Sequence, residues 1–493
     1  MLYGSTTVSP YCLSAPLPTI TAVALAPTSM KCLFFFLVFL GEISSAFQTP
    51  SSSLSRQTTI TAMAKPTPVR RTSSLAYDNN DGSKENYHRV DMWRKRRNLP
   101  LKPRYTTTAL SSSASSSITQ LDEVENSACN SKPMYTFGVL ADIQYAPIPD
   151  GHSYSGNPRY YQHAKEAARH AAIHFQEEQV QCVINLGDIV DGKCADVEKW
   201  GGTIDEEKKS DGCSSSSVGH DAIDDVLEAL SPYNAGRILH TYGNHELYNL
   251  SRFELGHKLS IPFIREPTNE LVGYYDHVLH EPQRQHCDDD NANPWKLRFV
   301  VLDSYDICLL DRCAETSKKR QAAHEILSRH NPNYPEQENS PEGLVGLSRR
   351  FVAFNGGVDT PQLEWLESSM QSARENGEKV IICSHQPIHP QSSFTTCLIW
   401  NYDDVLSIVR KYSDVVIASF SGHAHKGGYI RDEESGVHFR TFEAMLESPC
   451  PIRTYAFVDV WKDRLVVRGM GDCFSDVYDL DHLESKVGTT VAK

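Results

Sequence analysis

The sequence predicts a layered α/β protein, an α/β/β/α sandwich with mixed sheets. Three observations carry this. From Tyr135 onward, short runs rich in β-branched and aromatic residues alternate with stretches of helical periodicity. After His425 the pattern changes to closely spaced strands with no helix between them, which adds antiparallel pairing to a parallel framework. The apolar runs before Asp142, Asp188, His385 and His423 all stop at short polar cassettes, as strands do when they carry a site at their carboxyl ends.

Taken in order, residues 134–141 read as a first strand that stops at Asp142. Residues 150–159 are rich in Gly, Ser, Asn and Pro and read as a loop. A helix follows to Glu178, with Ala164, Ala167, Ala168, Ala171, Ala172 and Phe175 at helical spacing. Residues 180–186 form the second strand, stopping at Gly187-Asp188; a strand–helix–strand unit of this length is a parallel crossover. The polar stretch 196–219 is expected to be a loop insertion, followed by a short amphipathic helix over 221–230. Residues 236–242 give a third strand before Gly243-Asn244-His245-Glu246, and 295–302 another, with Asp303 behind it. Thr360 reads as an N-cap with Pro361 in the first turn. Residues 379–383 are a strand ending at Ser384-His385, and Asp403 and Asp404 open the next helix, where acidic side chains suit the first turn. Residues 414–420 are a strand ending at Gly422-His423-Ala424-His425. Strands over 437–444, 454–461 and 464–468 are expected to be antiparallel.

Composition divides the 493 residues. The first 130 carry long Ser/Thr/Ala/Pro stretches and read as a disordered leader, leaving residues 134–493 as one large domain with enough mass to bury a full sheet. The net charge of −14, with Asp205-Glu206-Glu207 and Asp288-Asp289-Asp290 in the globular half and no Lys/Arg stripe interleaved with aromatics, excludes a nucleic-acid surface. A small anionic substrate stays compatible, because metal cations invert the local charge of an acidic pocket. The 13 cysteines form no CxxC pair and point to a reduced interior.

Within the leader, Met30-Lys31, an apolar run from Cys32 to Leu40, and small residues up to Ala46 have the shape of a signal peptide, too short for stable membrane insertion. Its late position suits a start at Met30 or a signal anchor. Residues 47–120 are rich in Ser and Thr and carry Arg56, Arg70, Arg71, Arg89, Arg94, Arg96 and Arg97. Phe47 followed by this basic, hydroxylated stretch resembles the two-part plastid presequence of algae with secondary plastids. Plastid delivery is therefore the expected address, with secretory, endomembrane and cytoplasmic locations as alternatives.

The cassettes carry the chemistry. Asp142 and Gln144 lie two apart, and an extended run would point both the same way. Carboxylate and amide oxygens are hard ligands suited to Mn²⁺ or Mg²⁺. Asp188 has two oxygens with which to bridge a pair of cations, and Asn244 offers a neutral carbonyl where several charges already crowd. His423 and His425 are two apart behind Gly422, which lets backbone and metal come close. Any one of these is weak: a lone Asp at a strand end is usually a cap, and a lone His-x-His is more often structural. Their joint order on successive strand ends is specific. It points to two divalent metals beside a water, a device for breaking phosphorus–oxygen bonds.

The cassettes resemble those of the calcineurin-like metallophosphoesterases, and their context is similar to the manganese-dependent ADP-ribose/CDP-alcohol diphosphatase branch. The matching text is Phe137-Gly138-Val139-Leu140-Ala141-Asp142-Ile143-Gln144-Tyr145, Leu186-Gly187-Asp188-Ile189-Val190-Asp191-Gly192, Gly243-Asn244-His245-Glu246-Leu247-Tyr248-Asn249, Phe354-Asn355-Gly356-Gly357, Cys397-Leu398-Ile399-Trp400-Asn401-Tyr402 and Gly422-His423-Ala424-His425-Lys426-Gly427-Gly428-Tyr429. It runs from about Phe137 to Gly469 and omits the leader and the 196–219 insertion. Gln144 stands where most of the broad family has His, a departure typical of this branch.

The resemblance implies the four-layer metallophosphoesterase sandwich and two metal ions, expected to be Mn²⁺ with Mg²⁺ as the alternative. Asp142, Gln144, Asp188 and His425 would hold one; Asp188, Asn244, His385 and His423 would hold the other, with a bridging hydroxide between them. It implies His245 as the proton donor to the leaving oxygen; the bland reading is a histidine that only supports Asn244. Arg159 resembles a substrate-loop arginine, its rival being surface charge at a helix start. Phe354 would stack on a base or simply pack with Phe351. Cys397 would form a pocket wall rather than a nucleophile. The implied reaction is pyrophosphate cleavage in ADP-ribose or in CDP-choline, CDP-ethanolamine or CDP-glycerol, releasing AMP or CMP. The substrate is thus a small nucleotide-diphosphate. Alternatives within the superfamily are a cyclic-nucleotide phosphodiesterase or a phosphomonoesterase. A purple-type acid phosphatase would want a Tyr ligand shortly after the second Asp, where Asp188-Ile189-Val190-Asp191 has none. A metal-free scaffold would be expected to have lost several of the seven ligands.

Overall fold

The computed structural model describes residues 132–203, 215–267, 269–279, 295–311 and 316–483, and all of them fall in one compact unit. The leader, with its signal-like segment 30–46, lies outside the described residues, as do 204–214 of the insertion.

The chain opens with β1 (Tyr135–Leu140), a hairpin of β2 (Gly151–His152) and β3 (Pro158–Arg159), helix α1 (Tyr161–Glu177) and β4 (Cys182–Asn185). It continues through α2 (Ser215–Leu230), β5 (Arg237–His240), α3 (Asn244–Asn249) and α4 (Arg252–Lys258). A small hairpin of β6 (Ile264–Arg265) and β7 (Leu271–Val272) precedes β8 (Tyr275–Leu279), β9 (Leu297–Val301) and α5 (Lys318–His330). Then come α6 (Thr360–Glu375), β10 (Lys379–Ser384), α7 (Tyr402–Lys411), β11 (Val416–Ser421), β12 (Lys426–Arg431) and β13 (His438–Glu443). The last strands are β14 (Tyr455–Val460), β15 (Arg464–Met470) and β16 (Asp476–Asp479).

Two six-stranded sheets result, ordered β16-β15-β14-β1-β4-β5 and β12-β13-β11-β10-β9-β8. Both are mixed. In the first, β1, β4 and β5 are parallel and β14, β15 and β16 antiparallel. In the second, β9, β10, β11 and β13 are parallel, and β8 and β12 close the edges antiparallel.

Three apolar clusters define four layers. Phe137, Val139, Cys182 and Ile184 of the first sheet meet Phe299, Ile381, Cys383 and Phe420 of the second, with Phe137 edge-on to Phe299 at 4.9 Å. The outer face of the first sheet is covered by α1 and α2 through Ala164, Ala168, Phe175, Ile223 and Val226. The outer face of the second is covered by α6 and α7 through Leu366, Met370, Val405 and Val409. Burying such side chains stabilises by roughly 1.5–3 kcal/mol each. Gly138 is required by this packing: a Cβ there would lie 2.7 Å from the Phe175 ring.

Several local expectations need correcting. The helix expected over 221–230 begins at Ser215, and the segment expected to be a loop over 196–219 holds a 3-10 turn at Glu198–Trp200, just after another at Gly192–Asp196. The cap of α6 is Asp359, whose carboxylate accepts the Thr360 N–H at 2.8 Å; Thr360 is already helical. β13 is parallel to β11, because β12 lies on the far side of β13 and takes the antiparallel place. Among the described residues no helix is long and apolar enough to cross a membrane.

Candidate metal centre

Five parallel strands end at one place and deliver the predicted residues to it. Asp142 and Gln144 follow β1, Asp188 follows β4, Asn244 and His245 open α3 behind β5, His385 follows β10, and His423 and His425 follow β11. The loops hydrogen-bond to one another: Gln144 N–H donates to the Asp188 carbonyl at 2.7 Å, Gly422 N–H to that of His385 at 3.0 Å, and Leu446 N–H to that of Asp142 at 3.1 Å. The Glu246 carboxylate, fully buried, ties two of these turns together by accepting the N–H groups of Asp188, Ile189 and Gly243.

Extended alternation is not what aligns Asp142 with Gln144. Both sit on left-handed backbone (φ 50° and 44°), as do Asp188 (56°), His423 (64°) and His425 (41°). The turns curl each side chain back over the strand ends. Gly422 permits the approach, since a Cβ there would lie 2.7 Å from Asp142 Oδ2.

Asp142, Gln144, Asp188, Asn244 and His385 are buried, and the side chain of His425 is only 11 % exposed. Asp188, His385 and His423 converge, with one ligand atom from each lying within 4.8 Å of the others. Their tautomers are set from outside. His385 Nδ1–H donates to the Leu186 carbonyl at 2.6 Å. His423 Nε2–H donates to Asn355 Oδ1 at 2.9 Å, and the Asn355 amide is oriented by donating to the Arg350 and Thr396 carbonyls. His425 Nδ1–H donates to Glu447 at 3.0 Å.

Each neutral imidazole therefore turns a lone pair inward. His385 Nε2 faces His423 Nδ1 at 3.1 Å and Asp188 Oδ2 at 3.1 Å; His425 Nε2 faces Asp142 Oδ1 at 3.4 Å. Acceptors facing acceptors in a buried site call for a cation between them. The donor set of carboxylate, amide oxygen and imidazole fits a divalent transition metal.

Without a metal, a proton is the substitute. Burial alone would lower His385, but Asp188 and then Asp142 draw it up to about 9. Asp188 in turn is held well below the usual carboxylate range by His385 and His245, against the effect of its burial. Burial and the neighbouring His385 push His423 well down.

The remaining predicted residues also reach this place. His245 Nε2 is 4.0 Å from Asp188 Oδ2, and its Nδ1 accepts the Gly192 N–H at 2.7 Å. Arg159, on β3, donates to Gln144 Oε1, and its buried Nε has no hydrogen-bond partner among the described residues. Gln144 Nε2 donates to Asp188 Oδ2 and to His425 Nε2. Phe354 is half-buried, its ring 5.8 Å from that of His423. Cys397 is partly buried, and burial pushes its thiol up to about 12, which suits a wall and not a nucleophile.

A family model described as calcineurin-like phosphoesterase matches residues 135–427, the span that holds every site residue predicted from the sequence. The chain belongs to the calcineurin-like phosphoesterases. It is 38% identical over 344 residues to the manganese-dependent ADP-ribose/CDP-alcohol diphosphatase of Oryza sativa, covering 69% of this chain and 93% of that one. It is 33% identical over 350 residues to the protein of the same name from Homo sapiens, covering 69% and 92%. Among solved structures it is similar to a dimetal phosphatase from Danio rerio, with TM-score 0.58 and 31% identity over 71% of this chain and 100% of that one. The protein is a metal-dependent hydrolase of this family, closely related to that diphosphatase branch.

Sequence reasoning missed the residues that hold the candidate ligands. Asn355 and Glu447 set two imidazole tautomers, and Tyr305 donates to Asn244 Oδ1 at 3.1 Å from a fully buried position. Asn355 stood inside a segment quoted for the resemblance, without a role. Glu447 and Tyr305 carry no local signal, because their partners are 22 and 61 residues away.

Proposed function

We propose that this calcineurin-like phosphoesterase cleaves the pyrophosphate linkage of small nucleoside-diphosphate-linked substrates, ADP-ribose and CDP-alcohols, using two divalent cations, Mn²⁺ foremost. The single observation that carries the reading is the inward turn of three imidazole lone pairs, those of His385 and His425 toward Asp188 and Asp142 and that of His423 toward His385. The names of the relatives support the substrate class.

Asp142, Gln144, Asp188 and His425 are assigned to one cation, and Asp188, Asn244, His385 and His423 to the other. When bound, the cations supply an acidified water and neutralise phosphate oxygens. For Gln144 to ligate through Oε1, its amide turns over and releases Arg159 toward the cleft. That guanidinium then has its fork free for a phosphate. His245 acts on the leaving oxygen. Because its Nδ1 accepts the Gly192 N–H, its Nε2 carries the proton, and Nε2 is the nitrogen on the Asp188 side. Phe354 and Cys397 wall the pocket beside His423 and Asp142.

The test is a substrate panel with Mn²⁺ and product identification. ADP-ribose is expected to give AMP, and CDP-choline CMP. Release of inorganic phosphate from monoesters, with neither nucleotide substrate turned over, overturns the reading.

A further inference from the structure

Lys193 lies beside the turn that holds His245 and has none of the roles assigned so far. It follows Gly192, whose N–H holds His245, and Asp191 accepts its backbone N–H at 2.9 Å. Its Nζ donates to the Tyr161 hydroxyl at 2.7 Å and lies 5.1 Å from the centroid of the Tyr161 ring and 4.4 Å from that of Trp200. Among the described residues it has no carboxylate ion-pair partner. An ammonium held between two aromatic faces, with no ion-pair partner, has donors left for a visiting anion.

The placement gives the anion's identity. Tyr161 is two residues from Arg159, which contacts Gln144. Lys193 is one residue beyond Gly192, whose N–H supports His245, so its side chain runs from the His245 turn to Tyr161. His245 serves the leaving oxygen, so Lys193 stands on the leaving-group side. When a pyrophosphate is cleaved, the leaving group is itself a phosphate; when a simple ester is cleaved, it is an alcohol. A cation here favours the former.

We propose that Lys193 is a specificity-determining residue that binds the second phosphate, the one on the leaving side, and so selects diphosphate-linked substrates over phosphate esters. The inference rests on the site reading of His245 under the proposed function. Its test is separate from the choice of ADP-ribose or CDP-alcohol.

Bis(p-nitrophenyl) phosphate serves as reporter substrate, with AMP and the α,β-methylene analogue of ADP as competitors at fixed free Mn²⁺. These differ by one phosphonate. The wild type should bind the analogue more tightly than AMP. Lys193→Met keeps an apolar stem against Tyr161 and Trp200, and should weaken the analogue roughly 10- to 100-fold while leaving AMP and reporter turnover within about twofold. Lys193→Arg should recover most of the loss. Equal weakening of both competitors, or none, overturns the proposal, as does equal wild-type affinity for the two. Failure of ADP-ribose and CDP-choline as substrates would overturn the substrate assignment and leave this comparison standing.

Discussion

Glu447→Gln tests the outward hold on the metal centre with the least disturbance of shape. Glu447 accepts the His425 Nδ1–H at 3.0 Å through one oxygen and the Lys426 ammonium through the other. Burial would raise its carboxyl, but His425 and Lys426 bring it down to about 2. From its ordinary 4.5 that shift corresponds to roughly 3 kcal/mol, divided between two partners. Gln keeps a carbonyl for His425 and loses the charge, so about 1–2 kcal/mol is withdrawn from the imidazole. The expected result is roughly a tenfold rise in the Mn²⁺ dissociation constant, toward the lower end of what outer partners of metal-bound histidines contribute. Lys426 is partly exposed and reaches water, so the thermal midpoint should move by only a few degrees. The assay is titration followed by the EPR signal of free Mn²⁺, with the midpoint measured on the same samples. A folded variant with unchanged Mn²⁺ affinity would refute the role given to the Glu447 charge.

His245→Ala should lower kcat by roughly 10²- to 10⁴-fold with Mn²⁺ affinity nearly intact; parallel loss of metal would show that His245 merely supports Asn244. Metal uptake should release protons. His385 in the metal-free protein keeps its proton up to about pH 9, and that proton must leave before Nε2 can ligate. Apparent Mn²⁺ affinity should therefore rise as pH increases from 7 toward 9, by close to tenfold per unit where one proton is displaced, and level off above. Calorimetry in buffers of different ionisation enthalpy measures the released protons, and a count of zero at pH 7.5 would contradict the proton assigned to His385 in the metal-free protein.

The legible part of this molecule is the part written locally. Each central strand is an apolar run that stops abruptly, so the strand ends and their cassettes could be read before any packing was known. The alanine spacing of α1 declared its buried face. What stayed hidden depends on distant partners. β8 and β12 are edge strands of mixed character, Tyr275-Asp276-His277-Val278-Leu279 and Lys426-Gly427-Gly428-Tyr429-Ile430-Arg431, and only a neighbour makes them strands. The pairing sense of β13 is set by where β12 lies, which alternation along β13 cannot encode. The serine run before Val218 has no apolar periodicity, yet α2 already begins at Ser215. Among the site residues, the proposed ligands stand in legible motifs, whereas Asn355, Glu447 and Tyr305 act only through folded geometry.

Nine non-glycine residues among those described have left-handed backbone, and five of them are assigned ligands: Asp142, Gln144, Asp188, His423 and His425. Each such conformation costs on the order of 1 kcal/mol. Together that rivals the lower end of a domain's net stability of about 5–15 kcal/mol. The centre is thus a region where folding and chemistry select opposite residues. A lineage relieved of the need for metal would drift first at these five positions, toward Gly or Asn, and its sandwich would become harder to melt as its active site disappeared.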